Sequence, residues 1–387
     1  MPKAICLYFQ AHQPYRHTSF PVFSIGTHAP YEDKALNLEV LNRVSDRCYL
    51  PVASLWDRLG QRFGDQFQVN VSASGHLLQQ LETHRPAVIE RWQKLSEKGQ
   101  IHWLGETFAH SLSFFFSREE FFEQVIEHRE KVWNLFQQDP RVFRNTELAY
   151  QNPMGFFLKQ MGYKGMLVEG LVSDPNKVYS PPHIPDFGLL PRHVLRSDDL
   201  AFRFADPSWE HFPLQAEDFA AWMLQEPGEV LTIGLDMEAL GEHISAETGI
   251  WEFWEKLIEI ILREGGKFLS AEQALVRQNE KPAWDVPMAI SWADQEKDLS
   301  AWMGNSMQQE ALHKVYELEA VVKESRREDW VATWRKLQNS DHFYYMATKK
   351  GTDGNVHQYF SPFSSPYDAY IYFMNIIADF QLQLRKS

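Results

Sequence analysis

Only two cysteines, Cys6 and Cys48, occur in the 387 residues. They show no metal-ligand spacing and no disulfide framework, and Cys6 lies in an apolar run that reads as a buried strand. No apolar run approaches the roughly 18 residues of a membrane span. The apolar stretch near the N-terminus covers about six residues, short of the roughly 7–15 of a secretory signal, so a cytoplasmic location is expected. Positive charge is also scarce. With 38 Lys and Arg against 52 Asp and Glu, the net charge is −14, which argues against nucleic acid or an anionic membrane as partner. No internal repeat or low-complexity tract stands out.

What the chain has in quantity is aromatic surface: 13 Trp, 14 Tyr and 27 Phe. Most must pack the core, because large rings dominate burial, and some can line a sugar cleft by stacking on pyranose faces. The first two-thirds alternates short apolar runs with helical patterns. Strands are expected at Ala4–Phe9, Phe67–Ser72, Ile101–Leu104, Val142–Arg144, Lys164–Val168, Val194–Arg196 and Val230–Leu235. Between them lie helical stretches such as Ala87–Lys98, one opened by a Ser117/Glu120 capping box, and the amphipathic Trp251–Arg263. The Pro-containing stretch Asp174–Pro191 reads as a loop. Strands alternating with helices argue for a parallel sheet, and an open doubly wound sheet and a closed barrel both fit. After about residue 275 the pattern turns helical, with helices expected at Ala301–Arg327, Glu328–Gln338 and Pro366–Leu384.

Four polar clusters stand directly after strand candidates: His12-Gln13-Pro14-Tyr15-Arg16; Gly105-Glu106-Thr107-Phe108-Ala109-His110; Asn145-Thr146-Glu147; and Asp236-Met237-Glu238 with Gly241-Glu242-His243. In a parallel α/β barrel, the strand C-termini form the active-site face. Any one acidic residue there can be a helix cap, but four such clusters at one end point to a site. Glycoside hydrolysis needs two carboxyl groups flanking one bond, one ionised and one protonated. Glu106, Glu147, Asp236, Glu238 and Glu242 are the candidates.

These residues carry a resemblance to glycoside hydrolase family 57, in particular its α-amylase-type members. Its regions are matched by His12-Gln13-Pro14, by Leu104–Leu112, by Phe143–Leu148, by Leu235–His243 and by Asp298–Asn305, and the similarity continues through Leu337–Tyr345 and Tyr359–Pro362. The resemblance implies an incomplete (β/α)7 barrel over residues 1–280 and a C-terminal α-helical domain over 281–387. It implies a retaining mechanism on an α-glucan or maltooligosaccharide, with Glu147 as nucleophile and Asp236 as acid/base. His12, Gln13, Trp302, Asp341 and His342 would bind substrate, Glu106 and His110 would hold sugar hydroxyls or orient the carboxylates, and no metal or cofactor is expected. Where relatives commonly carry Tyr, an aromatic, Thr and Phe, this chain has Ala109, Met237, Ala239 and Leu240, which bears on sugar stacking. Three other functions remain open. A 4-α-glucanotransferase or branching enzyme would share the nucleophile chemistry. A metal-dependent deacetylase would need a set such as His12, His76, His110 and Asp236. A non-catalytic glucan-binding protein would need neither carboxyl group.

Overall fold

A computed structural model describes residues 3–386. Seven strands carry the N-terminal part: β1 (Ala4–Ala11), β2 (Val69–Ala73), β3 (Ile101–Trp103), β4 (Val142–Arg144), β5 (Gly165–Glu169), β6 (Gly188–Arg192) and β7 (Val230–Asp236). All ladders among them are parallel. β1 pairs with β2 and β7, β2 with β3, β4 with β5, and β5 with β6. A single bridge, Gly105 to Phe143, joins β3 to β4. Between β6 and β7 there is no ladder. His193 N donates to Thr232 O at 2.7 Å, and Arg192 Nε to Gly234 O at 2.8 Å. Pro191, two residues before His193, turns its donor-less nitrogen to the same side, which suits it to a gap where no ladder forms. The result is an incomplete seven-stranded α/β barrel.

Period-two alternation explains how β1 serves two cores. Ile5, Leu7, Phe9 and Ala11 face the helical shell. Ala4, Cys6 and Tyr8 face the barrel interior, which the short helix Ala271–Leu275 plugs. Every β1 residue is buried, as expected of a parallel strand covered on both faces. Tyr8 fits only because position 234 has no side chain: a Cβ there would lie 1.9 Å from its ring.

Several expected elements differ. Val194–Arg196 is helical, within Val194–Asp198, because the His193 ring accepts from Arg196 N and caps a helix there. The strand lies one step earlier, so the last residues of the stretch expected as a loop form β6. Ser117 does cap the helix Arg118–Phe136, but Glu120 turns away to Gln124 and Arg335, so the box is half made. From residue 300 onward the described residues form helices without a strand. The expected helix over Ala301–Arg327 is three pieces, Ser300–Met303, Ser306–Glu317 and Glu319–Glu324, because Asn305 and Gln308 form a capping box that starts a new helix. Helices Glu328–Leu337, Ser340–Tyr344, Gly351–Phe360 and Pro366–Lys386 complete this part. Its core includes Trp302, Leu312, Trp334, Phe343, Phe373 and Ile376. Arg335 docks it to helix Arg118–Phe136, pairing with Glu120 at 2.8 Å, Glu123 at 2.7 Å and Glu127 at 2.5 Å. Among the described residues, no helix is long and apolar enough to cross a membrane.

Candidate active site

The four clusters meet at the C-terminal mouth of the barrel. Glu147 follows β4 in a tight turn, with φ of +58° at Glu147 and +53° at Leu148. Two consecutive left-handed non-glycine residues store strain of about 1–3 kcal/mol each, a cost that clusters at functional sites. Hydrogen bonds hold the turn: Asn145 Nδ2 donates to Ala149 O at 2.9 Å, and the Thr107 and Thr146 hydroxyls lie 2.8 Å apart. The carboxylate is gripped on both oxygens. His110 Nε2 donates to Oε1 at 3.0 Å, and Trp292 Nε1 to Oε2 at 2.7 Å. Trp292 also donates its backbone N–H to Glu147 O at 3.2 Å. Behind the indole lies Arg144, fully buried, its guanidinium 4.6 Å from the ring centroid. None of its guanidinium nitrogens finds a hydrogen-bond acceptor among the described residues, so its charge is answered at longer range by the carboxylates.

Burial alone would raise the Glu147 pKa. The His110 bond and charge, the Arg144 charge and the Trp292 bond overcome it and hold the group below the ordinary carboxylate range. His110 is the complement. Burial disfavours its charge, but Glu106 and Glu147 raise its pKa to about 9, so it is an imidazolium at neutral pH. Its Nδ1 faces the Gln10 amide at 3.2 Å and Glu106 at 3.9 Å.

Asp236 ends β7, in register with Gln10 of β1. Burial and then the Glu147 charge raise its pKa to about 7, against the opposing charges of Arg144, His110 and Arg192. His12 stacks on His110 with centroids 3.9 Å apart. Burial and the charge of His110 keep it neutral, with a pKa well below its ordinary value. Its Nδ1 lies 2.6 Å from Ser74 Oγ, and its Nε2 accepts from Asn339 Nδ2 at 3.1 Å. Asp341 stands 3.7 Å from the same Nε2, and burial raises its pKa to about 6. Asn339 and Asp341 come from the helical part, which is anchored here by Ser340 N donating to His110 O at 3.0 Å.

The structure therefore brings Glu147, Asp236, His12, Gln13, His110 and Asp341 together. It treats the other expected residues differently. Glu106 is wholly enclosed and hydrogen-bonded by Ser72, so it supports His110 and presents no face to a sugar. His110, 2% exposed, likewise reaches substrate only through Glu147. Trp302 and His342 sit in the helical core. His342 stacks on His17 at 3.7 Å and donates to Lys336 O at 3.1 Å. Trp302→Ala is accordingly expected to lower unfolding free energy by about 3–5 kcal/mol, read as a shift in urea midpoint. A sugar-facing role would instead raise KM and leave the midpoint in place. Ala109, Met237, Ala239 and Leu240 are all interior, so their departures from the resemblance remove no stacking surface from the cleft. Sequence reasoning missed Trp292, which lies in the irregular stretch before residue 300, and also Arg144 and Asn339. Only the nearness of Trp292 to Asp298–Asn305 hinted at it.

The metal set required by the deacetylase reading is not assembled. His76 packs edge-on against Tyr15 and Phe108. Donor atoms of His12, His110 and Asp341 do lie within 4.8 Å of one another, but the two rings are already engaged with Ser74, Asn339 and Glu147.

An α/β barrel that brings two buried carboxyl groups to its mouth, one with its pKa lowered and one with its pKa raised, fits a glycoside-cleaving or glycosyl-transferring enzyme. Comparison with known proteins agrees. Residues 6–287 match the family described as Glycosyl hydrolase family 57. A protein of Methanocaldococcus jannaschii named "Putative alpha-amylase" is 34% identical over 398 residues, covering 98% of this chain and 84% of that one. The chain belongs to glycosyl hydrolase family 57. Solved structures share the fold at low identity. The branching enzyme of Pyrococcus horikoshii aligns with TM-score 0.71 at 13% identity, covering 92% of this chain and 87% of that one. The 4-alpha-glucanotransferase of Thermococcus litoralis aligns with TM-score 0.60 at 15% identity, covering 96% and 55%.

Proposed function

We propose that the protein is a retaining glycoside hydrolase that cleaves α-1,4-glucosidic bonds of starch, glycogen or maltodextrin. The opposite protonation of Glu147 and Asp236 carries this reading. The Glu147 carboxylate attacks the anomeric carbon. As the bond to the leaving sugar breaks, Asp236 delivers its proton to the departing oxygen. Water then cleaves the Glu147 ester, giving its proton to the Asp236 carboxylate and restoring the resting state. His110 and Trp292 hold the nucleophile in line, while His12, Gln13 and Asp341 bind sugar hydroxyls. The division into a catalytic part, 1–280, and a helical part, 281–387, that completes the cleft belongs to the same reading, as does a cytoplasmic location.

Maltoheptaose and soluble starch, with products separated by chain length, test it. Shorter products alone are expected. Products both longer and shorter than the input would make the enzyme a 4-α-glucanotransferase or branching enzyme, and glucan binding without turnover would overturn an enzymatic role. The pH profile of kcat/KM is expected to be bell-shaped. Asp236 must be protonated and its pKa is raised to about 7, so activity falls as pH rises through about 7. Glu147 must be ionised and its pKa is lowered, so the acid limb lies below the ordinary glutamate range. A profile flat from pH 5 to 9, roughly two units either side of 7, would place the general acid elsewhere.

A further inference from the structure

Helix Gly351–Phe360 touches the loops that carry the catalytic groups, and the mechanism above does not use it. Its sequence, Gly-Thr-Asp-Gly-Asn-Val-His-Gln-Tyr-Phe, makes a poor helix. Only Gln358 is a strong helix former, and the interior Gly354 is the worst choice short of proline. Lys350, before its first turn, supplies no side-chain cap. A helix of this length does not persist alone in water. Of its side chains only that of His357 is buried, while Val356, Tyr359 and Phe360 are 37%, 66% and 44% exposed. Contacts with the rest of the chain must therefore hold it.

Those contacts go to two different parts of the site. On one side, the His357 ring stacks on Tyr344 with centroids 3.6 Å apart, and its two nitrogens face Tyr344 O and Asp294 Oδ2, each at 3.0 Å. Asp294 also pairs with Lys349 at 2.7 Å. It stands two residues beyond Trp292, which grips Glu147 through its indole and its backbone N–H. Tyr344 borders the same site: burial, then the charges of Asp294, Glu147 and Asp341, raise its pKa. On the other side, the Tyr359 hydroxyl lies 3.3 Å from His243 Nδ1. The rings of Tyr359 and Phe360 meet that imidazole edge-on, at 5.9 and 5.5 Å. His243 belongs to the loop after β7, where its N–H donates to Glu238 O at 2.9 Å, two residues beyond Asp236. The helix thus joins the loop that clamps the nucleophile to the loop that carries the acid/base.

The two attachments are unequal. The His357 contacts are buried and include a carboxylate, whereas the Tyr359 hydrogen bond is long and exposed. An element held so lightly at one end opens locally at small cost, and active-site lids are drawn from such elements. We propose that helix Gly351–Phe360 is a strap over the catalytic cleft, fixed at His357, opening at Tyr359 to admit a glucan chain and ordered once the chain is bound. The proposal rests on the glucan reading. A ligand orders such an element only by touching it, and the exposed rings of Tyr359 and Phe360 are the surface it offers. Because His357 holds Asp294, ordering the strap also steadies the Trp292 loop, and with it the nucleophile, when substrate is present.

Amide hydrogen exchange tests the strap in Glu147→Gln, which lacks the nucleophile, with and without maltoheptaose. Without glucan, amides of residues 351–360 are expected to exchange well ahead of those around the buried Phe373 and Ile376 in helix Pro366–Lys386. With glucan, they should slow by about tenfold or more, and helix Pro366–Lys386 should not change. Adding Tyr359→Ala, at a side chain exposed enough to leave folding intact, should abolish the slowing and raise the Kd for maltoheptaose with the urea midpoint in place. Protection of 351–360 as strong without glucan as with it overturns the strap, as does slowing that survives Tyr359→Ala. Maltoheptaose that does not bind at all, read by calorimetry, removes the glucan reading along with the strap, an outcome distinct from glucan bound without a change in exchange. Should Glu147→Gln not fold, Asp236→Asn carries the same comparison.

Discussion

Glu147→Gln is expected to lower kcat on maltoheptaose by at least about 10⁴-fold, the scale seen when a covalent nucleophile is removed. The amide keeps the volume and can still accept from either His110 or Trp292, so the turn at Glu147 should persist. What disappears is the anion that forms the glycosyl-enzyme, and with it the division of one difficult displacement into two easier ones. Charge makes the effect large: His110 as an imidazolium, the buried Arg144 and the Trp292 N–H keep Glu147 ionised against its burial, and none of this stabilisation helps an amide. Mass spectrometry of wild type after an activated 5-fluoro-glucosyl substrate should find one added glycosyl group on the peptide carrying Glu147, and none in the variant. A loss below tenfold, or label on another carboxylate, would remove Glu147 from the nucleophile role.

The carboxylates were legible in the sequence because parallel strands deliver their C-termini to one face, and each cluster followed an apolar run. The alternation of Ile5, Leu7 and Phe9 with Ala4, Cys6 and Tyr8 is the same regularity in space. His12, His110 and Asp341 were legible through the motifs that carry them, but Trp292 and Asn339 were not, since their contacts span great chain distances. Trp292 meets Glu147 across 145 positions, and Asn339 meets His12 across 327. No local pattern encodes such meetings. Trp302 and His342 show the complementary error. Both adjoin motif residues, yet neighbours along a helix point in different directions, and Asp341 faces the cleft while His342 faces the core. Val194–Arg196 misled for a local reason: apolar and short, it fits a strand until the His193 cap is seen.

Asp236→Asn should divide substrates by their leaving group. With maltoheptaose the departing alkoxide is a poor leaving group and needs a proton, so kcat/KM is expected to fall by about 10²–10⁴-fold. An aryl maltoside leaves without help, so its first step survives and kcat/KM falls far less. The second step still needs a base to activate water, and the asparagine cannot serve. The glycosyl-enzyme on Glu147 should therefore accumulate, seen as a burst of phenolate followed by slow turnover. Azide, already anionic and in need of no base, should restore turnover and give a glycosyl azide. The fall in activity near pH 7 should vanish as well, because the group whose raised pKa causes it is gone. Equal losses in kcat/KM on both substrates, with no burst and no azide rescue, would show that Asp236 acts before bond cleavage, in binding alone. The burial that raises its pKa would then be a property of the cleft without a part in proton transfer.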